Sequence, residues 1–203
     1  MSVSKVGVVG CGLMGSGIAQ VCAQAGYQVV VREVSDELLE KGLGRIRSFL
    51  GGAVQKGKIS QQEMDAALGR LQGTTDLAAL KDADIIIEAI IENVDEKRAL
   101  FSQLDAMCPP HTIFCSNTSS IPIIQMAAAT SRPDRFVGLH FFNPVPIMKL
   151  VEVVRSISSS EETVEAARRF GESLGKKTIV AKDRAGFIVN LLLVPYLLDA
   201  VRA

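Results

Sequence analysis

Tryptophan is absent from this chain, and its 203 residues hold only two histidines, two tyrosines and four cysteines. None of the cysteines forms a CxxC pair, and no Cys/His cluster has metal-ligand spacing, so no metal site is expected. Cys11, Cys22, Cys108 and Cys115 instead read as buried free thiols. Charge of one sign is also missing: 22 Lys+Arg balance 22 Asp+Glu. A broad nucleic-acid or anionic-membrane surface is therefore not expected. No clean apolar run reaches the roughly 18–20 residues that span a bilayer, because Asn190, Pro195 and Asp199 interrupt the longest, Phe187 to Val201. No basic segment and apolar h-region open the chain either. A soluble, cytoplasmic protein is the expectation. Hydrophobic residues make up 48% of the chain, enough for a sizeable core and too many for intrinsic disorder.

Strand-like and helical segments alternate. Short β-branched or apolar runs at Lys5–Val9, Tyr27–Arg32, Asp84–Ala89, Thr112–Ser116, Phe136–Phe142, Lys149–Val154 and Thr178–Ala181 predict strands. Ile85–Ile87 lacks alternation, as parallel strands buried on both faces do. Between them, helical stripes run from about Leu13 to Ala25, from Ser35 to Leu50, from Asn93 to Met107, from Ile121 to Ala129 and up to Leu174. Ser60 with Glu63, and Ser159 with Glu162, match capping boxes that open helices. The pattern predicts an α/β fold, a doubly wound, Rossmann-type, mostly parallel sheet. The expected division is a cofactor domain over residues 1–184 and, over 185–203, the beginning of a helical domain.

Gly10-Cys11-Gly12-Leu13-Met14-Gly15 follows the first strand and opens a helix. In that position Gly10 permits the tight turn, Gly12 lets the backbone approach a pyrophosphate, and Gly15 lets helix and strand pack closely. The helix N-terminus, with Leu13 and Met14, offers N–H groups and partial positive charge to the phosphates. Glu33 ends the second strand, where an acid bonds the ribose hydroxyls of a dinucleotide. Its carboxylate repels a 2′-phosphate, so NAD is preferred over NADP. Arg32 weakens that preference, but strand alternation is expected to point it to the other face.

His111, after two prolines, reads as a solvated surface residue. His140 lies near the C-terminal end of a strand, where open α/β sheets place ligands. Glu152, on the next strand after the Asn143-Pro144-Val145-Pro146 reversal, is within geometric reach of it. Neutral imidazole suits removal of an alcohol proton near pH 7, and a carboxylate on its other nitrogen fixes the tautomer. Two other readings stay open, a satisfied core histidine and a surface glutamate. Asn117-Thr118-Ser119-Ser120 also sits at a strand end, as a turn and helix cap or as donors to a substrate oxygen.

The segments GCGLMGSGIAQ, IEAIIEN, SNTSS, GLHFFNPVPIMKLVEVV and GFIVN together resemble the 3-hydroxyacyl-CoA dehydrogenase family over essentially the whole chain, most nearly its bacterial 3-hydroxybutyryl-CoA members. The resemblance implies NAD-dependent oxidation of a 3-hydroxyacyl-CoA to the 3-ketoacyl-CoA, or the reverse. It implies His140 as general base, Glu152 as its orienting partner, and Ser119 and Asn190 on the substrate oxygen. It assigns NAD contacts to the glycine loop, Glu33, Glu92, Lys97, Asn117, Ser119 and Asn143. It also places Lys56 near the coenzyme A end, where an ordinary solvated lysine is the alternative. Family members commonly read PGF and NR around the asparagine; here Ala185 precedes Gly186 and Leu191 follows Asn190. The resemblance further implies an all-helical C-terminal domain and a homodimer, with Ala203 falling inside that domain's first helix. A second expectation is therefore a chain that binds NAD but is impaired in catalysis. The segment Phe187–Val201, apolar nearly all round, is expected to be exposed or to self-associate.

Overall fold

The computed structural model describes residues 3–203. Strand β1 (Lys5–Val9) leads through the glycine loop into helix α1 (Leu13–Gln24). β2 (Gln28–Arg32) and α2 (Asp36–Gln55) follow, and Ser35 caps α2 by accepting the N–H of Leu38. α3 (Gln61–Leu68) opens with the expected capping box between Ser60 and Glu63. Then come β3 (Leu71–Thr74), β4 (Ile85–Glu88), α4 (Val94–Met107), β5 (Ile113–Ser116) and α5 (Ile123–Ala127). The chain continues through β6 (Phe136–Phe141), β7 (Leu150–Arg155), α6 (Glu161–Ser173), β8 (Lys177–Lys182) and α7 (Val189–Arg202).

All eight strands join one sheet in the order β3-β2-β1-β4-β5-β6-β7-β8. Every pair from β3 to β6 is parallel; β6 and β7 are antiparallel, and β7 and β8 parallel. Helices cover both faces, and the residues of β4 divide between them. Ile85 and Ile87 pack in one core with Val6, Val8, Val29 and Val31, while Ile86 packs in the other with Val9 and Val30. Two-sided burial is why Ile85–Ile87 shows no polar alternation. The chain leaves β1 toward β2 on one side and β4 on the other, so a crevice opens at their C-terminal ends.

Two features differ from the sequence expectation. β3 carries the unpatterned sequence LQGT and is a strand because it pairs with β2 in register, Val29 with Leu71 through Arg32 with Thr74. The cap of α6 is Ser160, which accepts the N–H of Thr163; Ser159 instead donates to the Phe136 carbonyl. Ser159 is thus spent on the sheet, and Glu162 has no capping role. The four cysteines are buried free thiols, as expected. No helix among the described residues is long and apolar enough to cross a membrane.

After β8 the backbone turns through Gly186 (φ 76°) and Phe187 (φ 50°), and Phe187 is buried against His140. α7 then projects with none of its residues buried; Leu192 and Val201 are 68% and 85% exposed. This agrees with the expected exposure of the Phe187–Val201 segment, except for Phe187 itself.

Candidate active site

The glycine loop is shaped by backbone proximity. A Cβ built on Gly10 would lie 2.5 Å from the Ala89 carbonyl oxygen, and one on Gly15 would lie 1.8 Å from that of Gly10. At Gly12 a Cβ would meet nothing within 4 Å, so the space beside the helix N-terminus is open. Helix α1 has no side-chain cap and no acid in its first turn, which leaves its N–H groups and partial positive charge for an anionic ligand. This cradle fits a dinucleotide pyrophosphate. Glu33 lies beside it and accepts the Cys11 N–H through Oε2 and the Val34 N–H through Oε1, each at 2.7 Å. Each oxygen keeps lone-pair capacity for a ribose hydroxyl.

A cavity of about 760 Å³ runs from this loop between β2 and α4, with Leu13, Glu33, Leu38, Leu77, Ile91 and Gln103 among its lining residues. Arg32 lines it too, which corrects the expectation from strand alternation. Alternation puts Arg32 on the same face as Val30, which packs with Leu80 and Leu100, and the cavity opens on that face; the Arg32 Nε donates to the Thr75 carbonyl at 3.3 Å. Met14, Ala89 and Ile90 connect this space to a second cavity of about 370 Å³. His140, Asn117, Ser119, Asn143, Asn190, Glu92 and Lys97 line that second cavity. A third, of about 460 Å³, continues past Ser119 and Asn190 to Leu191, Val194 and Pro195 on α7.

The antiparallel register of β6 and β7 sets His140 directly opposite Glu152. Nδ1 of His140 lies 2.7 Å from Oε2 of the fully buried Glu152. Oε1 of the same carboxylate accepts the N–H groups of Ile188 and Val189, each at 3.0 Å. Burial alone would push the Glu152 carboxyl up, but His140 and the two N–H groups outweigh it and hold it below the usual range. Phe142 and Phe187 flank the imidazole, with ring centroids 4.6 and 5.6 Å away. Nε2 is left as the ring nitrogen available to a substrate. The surface-glutamate reading fails, because β8 lies outside β7 and encloses it.

Asn117 ties β5 to β6, its Oδ1 accepting the Phe141 N–H at 2.9 Å. Glu92 organises the serine loop: it accepts hydrogen bonds from the Thr118 hydroxyl, the Ser120 hydroxyl and the Ser119 N–H. Burial would raise the Glu92 carboxyl, yet the Thr118 and Ser120 hydroxyls and the Lys97 ammonium hold it down. Lys97 is itself buried, 2.5 Å from Glu88 and 3.3 Å from Glu92. Lys56 stands apart, exposed at the C-terminal end of α2 and outside all three cavities. His111 is exposed at the opposite rim, 3.5 Å from Asp84.

Sequence reasoning did not find Glu88, Lys176 or Asp183. Lys176 donates to the carbonyls of Val145 (2.6 Å) and Met148 (2.9 Å), which steadies the reversal carrying Asn143. Asp183 accepts the N–H groups of Ile123 and Ile124 and so fixes the start of α5 behind the serine loop. Of the three, only Glu88 had a signal: an acid closing an all-buried strand requires a partner, and Lys97 stands nine residues on.

A glycine cradle at a helix N-terminus, an acid at the end of β2 and a histidine–carboxylate pair in the connected cavity define an NAD-binding dehydrogenase of the Rossmann class. Residues 5–184 match the family model described as 3-hydroxyacyl-CoA dehydrogenase, NAD binding domain, and the chain belongs to that family. It is 48% identical over 203 residues to the 3-hydroxybutyryl-CoA dehydrogenase of Mycobacterium tuberculosis, covering 99% of this chain and 71% of that protein. It is 46% identical to the mitochondrial hydroxyacyl-coenzyme A dehydrogenase of Sus scrofa, covering 98% and 66%. Among solved structures, (S)-3-hydroxybutyryl-CoA dehydrogenase PaaH1 from Ralstonia eutropha superposes with a TM-score of 0.95 at 42% identity, covering 100% and 74%.

Proposed function

We propose that this chain interconverts a 3-hydroxyacyl-CoA, with 3-hydroxybutyryl-CoA the first candidate, and its 3-ketoacyl-CoA. The observation that carries this reading is the His140–Glu152 pair in a cavity continuous with the glycine-loop groove on one side and the Ser119–Asn190 cavity on the other. Nε2 of His140 takes the proton of the 3-hydroxyl as the C–O bond becomes a carbonyl. Glu152 holds the ring through Nδ1 and stabilises the imidazolium that forms. Ser119 and Asn190 bind the 3-oxygen and orient it toward His140. In the reverse direction the imidazolium returns the proton to that oxygen. NAD, when bound, accepts the hydride from the carbon bearing the hydroxyl, or its reduced form supplies it.

Gly10, Gly12, Leu13, Met14 and Gly15 would hold the pyrophosphate and Glu33 the adenosine ribose. Glu92, Lys97, Asn117, Ser119 and Asn143 would line the reacting end. Lys56 is assigned to the coenzyme A end on the family resemblance alone. The family match ending at residue 184 supports reading 1–184 as the cofactor domain and 185–203 as the opening of a helical one. The exposed apolar α7 supports a homodimer. Four buried free thiols accord with a reducing, cytoplasmic compartment.

The test is oxidation of NADH by the purified chain with and without acetoacetyl-CoA. Acyl-CoA-dependent turnover is expected; NADH binding without it contradicts the proposal.

A further inference from the structure

Among the described residues lining the cavity that holds His140, Lys97 is the one Lys or Arg, and its side chain is 1% exposed. Two carboxylates meet it, although one would satisfy a lysine's charge: Glu88, fully buried at 2.5 Å, and Glu92 at 3.3 Å.

Both acids sit in dense hydrogen-bond networks. Oε1 of Glu88 accepts from Lys97 Nζ and from the Ile90 N–H at 2.7 Å. Oε2 accepts from the Ser116 hydroxyl at 2.6 Å. Ser116 Oγ itself accepts the Thr118 N–H. Thr118 Oγ1 accepts from the N–H groups of Ser120 and Ile121 and gives its hydrogen to Glu92. Counting each carboxylate as one negative charge and Lys97 as one positive, the group carries one formal negative charge in excess.

That charge stands in the wall of a cavity where the reacting end of the cofactor must meet the substrate, because proton and hydride leave the same carbon–oxygen unit. An oxidised nicotinamide ring is positively charged and a reduced one is neutral. We propose that the Glu88–Lys97–Glu92 group biases this site toward the oxidised cofactor, with Glu88 as the buried residue that supplies the bias. Glu88 reaches no ligand directly and acts through Lys97 and the Ile90 backbone, so it is a positioning and charge-setting residue. The inference rests on reading the His140 cavity as the reacting end of the cofactor site.

Calorimetric titration of NAD⁺ and of NADH into the parent chain, Glu88→Gln and Glu92→Gln tests it. The amide keeps most of the shape but removes the charge. Glu88→Gln should weaken NAD⁺ relative to NADH by about fivefold, and the partly exposed, better screened Glu92→Gln by about twofold. A merely structural loss would weaken both forms alike, leaving the ratio unchanged, and that result overturns the proposal. If Glu88→Gln does not fold, the ratio in Glu92→Gln decides the matter by the same criterion. A parent chain that binds neither form would overturn the reading of the cavity itself, a distinct outcome.

Discussion

Glu152 grips His140 with one carboxylate oxygen, at 2.7 Å from Nδ1, and holds the start of α7 with the other. One buried side chain thereby joins His140 on β6 to the helix that carries Asn190. Substitution of Glu152 is expected to disturb both at once.

Glu152→Gln should lower kcat on the order of a hundredfold, since the amide supplies no charge for the imidazolium. It should also change the response to acid. The folded-state carboxyl lies below its usual range, so its stabilisation is complete above the ordinary glutamate pKa of about 4.3 and is lost as pH falls through the lower folded value. Acid unfolding followed by circular dichroism should be steeper in the parent than in Glu152→Gln. Identical pH profiles would contradict this assignment.

The presence of Arg32 in the same cavity as Glu33 makes cofactor choice depend on one carboxylate. Glu33→Ala should raise use of NADPH relative to NADH by about tenfold, because removing the repelling charge leaves a guanidinium free to pair with a 2′-phosphate. The ratio of kcat/KM for the two reduced cofactors measures it. An unchanged ratio in Glu33→Ala would show that Arg32 does not reach the phosphate.

Helix α2 packs on the glycine loop at Gly42, where a Cβ would lie 2.2 Å from both the carbonyl oxygen and Sγ of Cys11. Gly42→Ala should therefore destabilise the fold by about 1–3 kcal/mol and weaken NADH binding. Gly44, two residues on, meets nothing within 4 Å, and Gly44→Ala should stabilise the helix by about 0.5–1 kcal/mol. Thermal melts of the two variants give opposite signs if the packing is right.

Burial raises all four thiols, Cys11 and Cys108 to about 11 and the fully buried Cys22 and Cys115 further. Few thiolates exist near neutrality, so a disulfide reagent should label the native chain slowly and all four cysteines once it is denatured. Rapid native labelling at Cys11 would show that the glycine loop opens.

Much of this is legible in the sequence. β1, α1 and the glycine loop follow from local spacing, and the all-buried β4 from its lack of alternation. The placing of His140 near Glu152 needed only the short reversal between two strands. What escaped was decided across the chain. LQGT becomes β3 only because β2 offers it an edge. Arg32 enters the cavity because the cavity opens on the face it shares with Val30. The claim of Ser159 on the Phe136 carbonyl passes the cap to Ser160. Lys176 and Asp183 meet partners 31 and 60 residues away, a separation over which no periodicity carries information.

The central claim is that His140 moves the proton in a site Glu152 keeps aligned. The most direct measurement is acetoacetyl-CoA reduction by His140→Gln, with NADH affinity and thermal stability determined on the same sample. Glutamine can still accept a hydrogen bond from a hydroxyl and pack between Phe142 and Phe187, but it cannot carry the proton. The account predicts loss of kcat by roughly three orders of magnitude with NADH binding and folding retained. Turnover near the parent rate in that variant would contradict it.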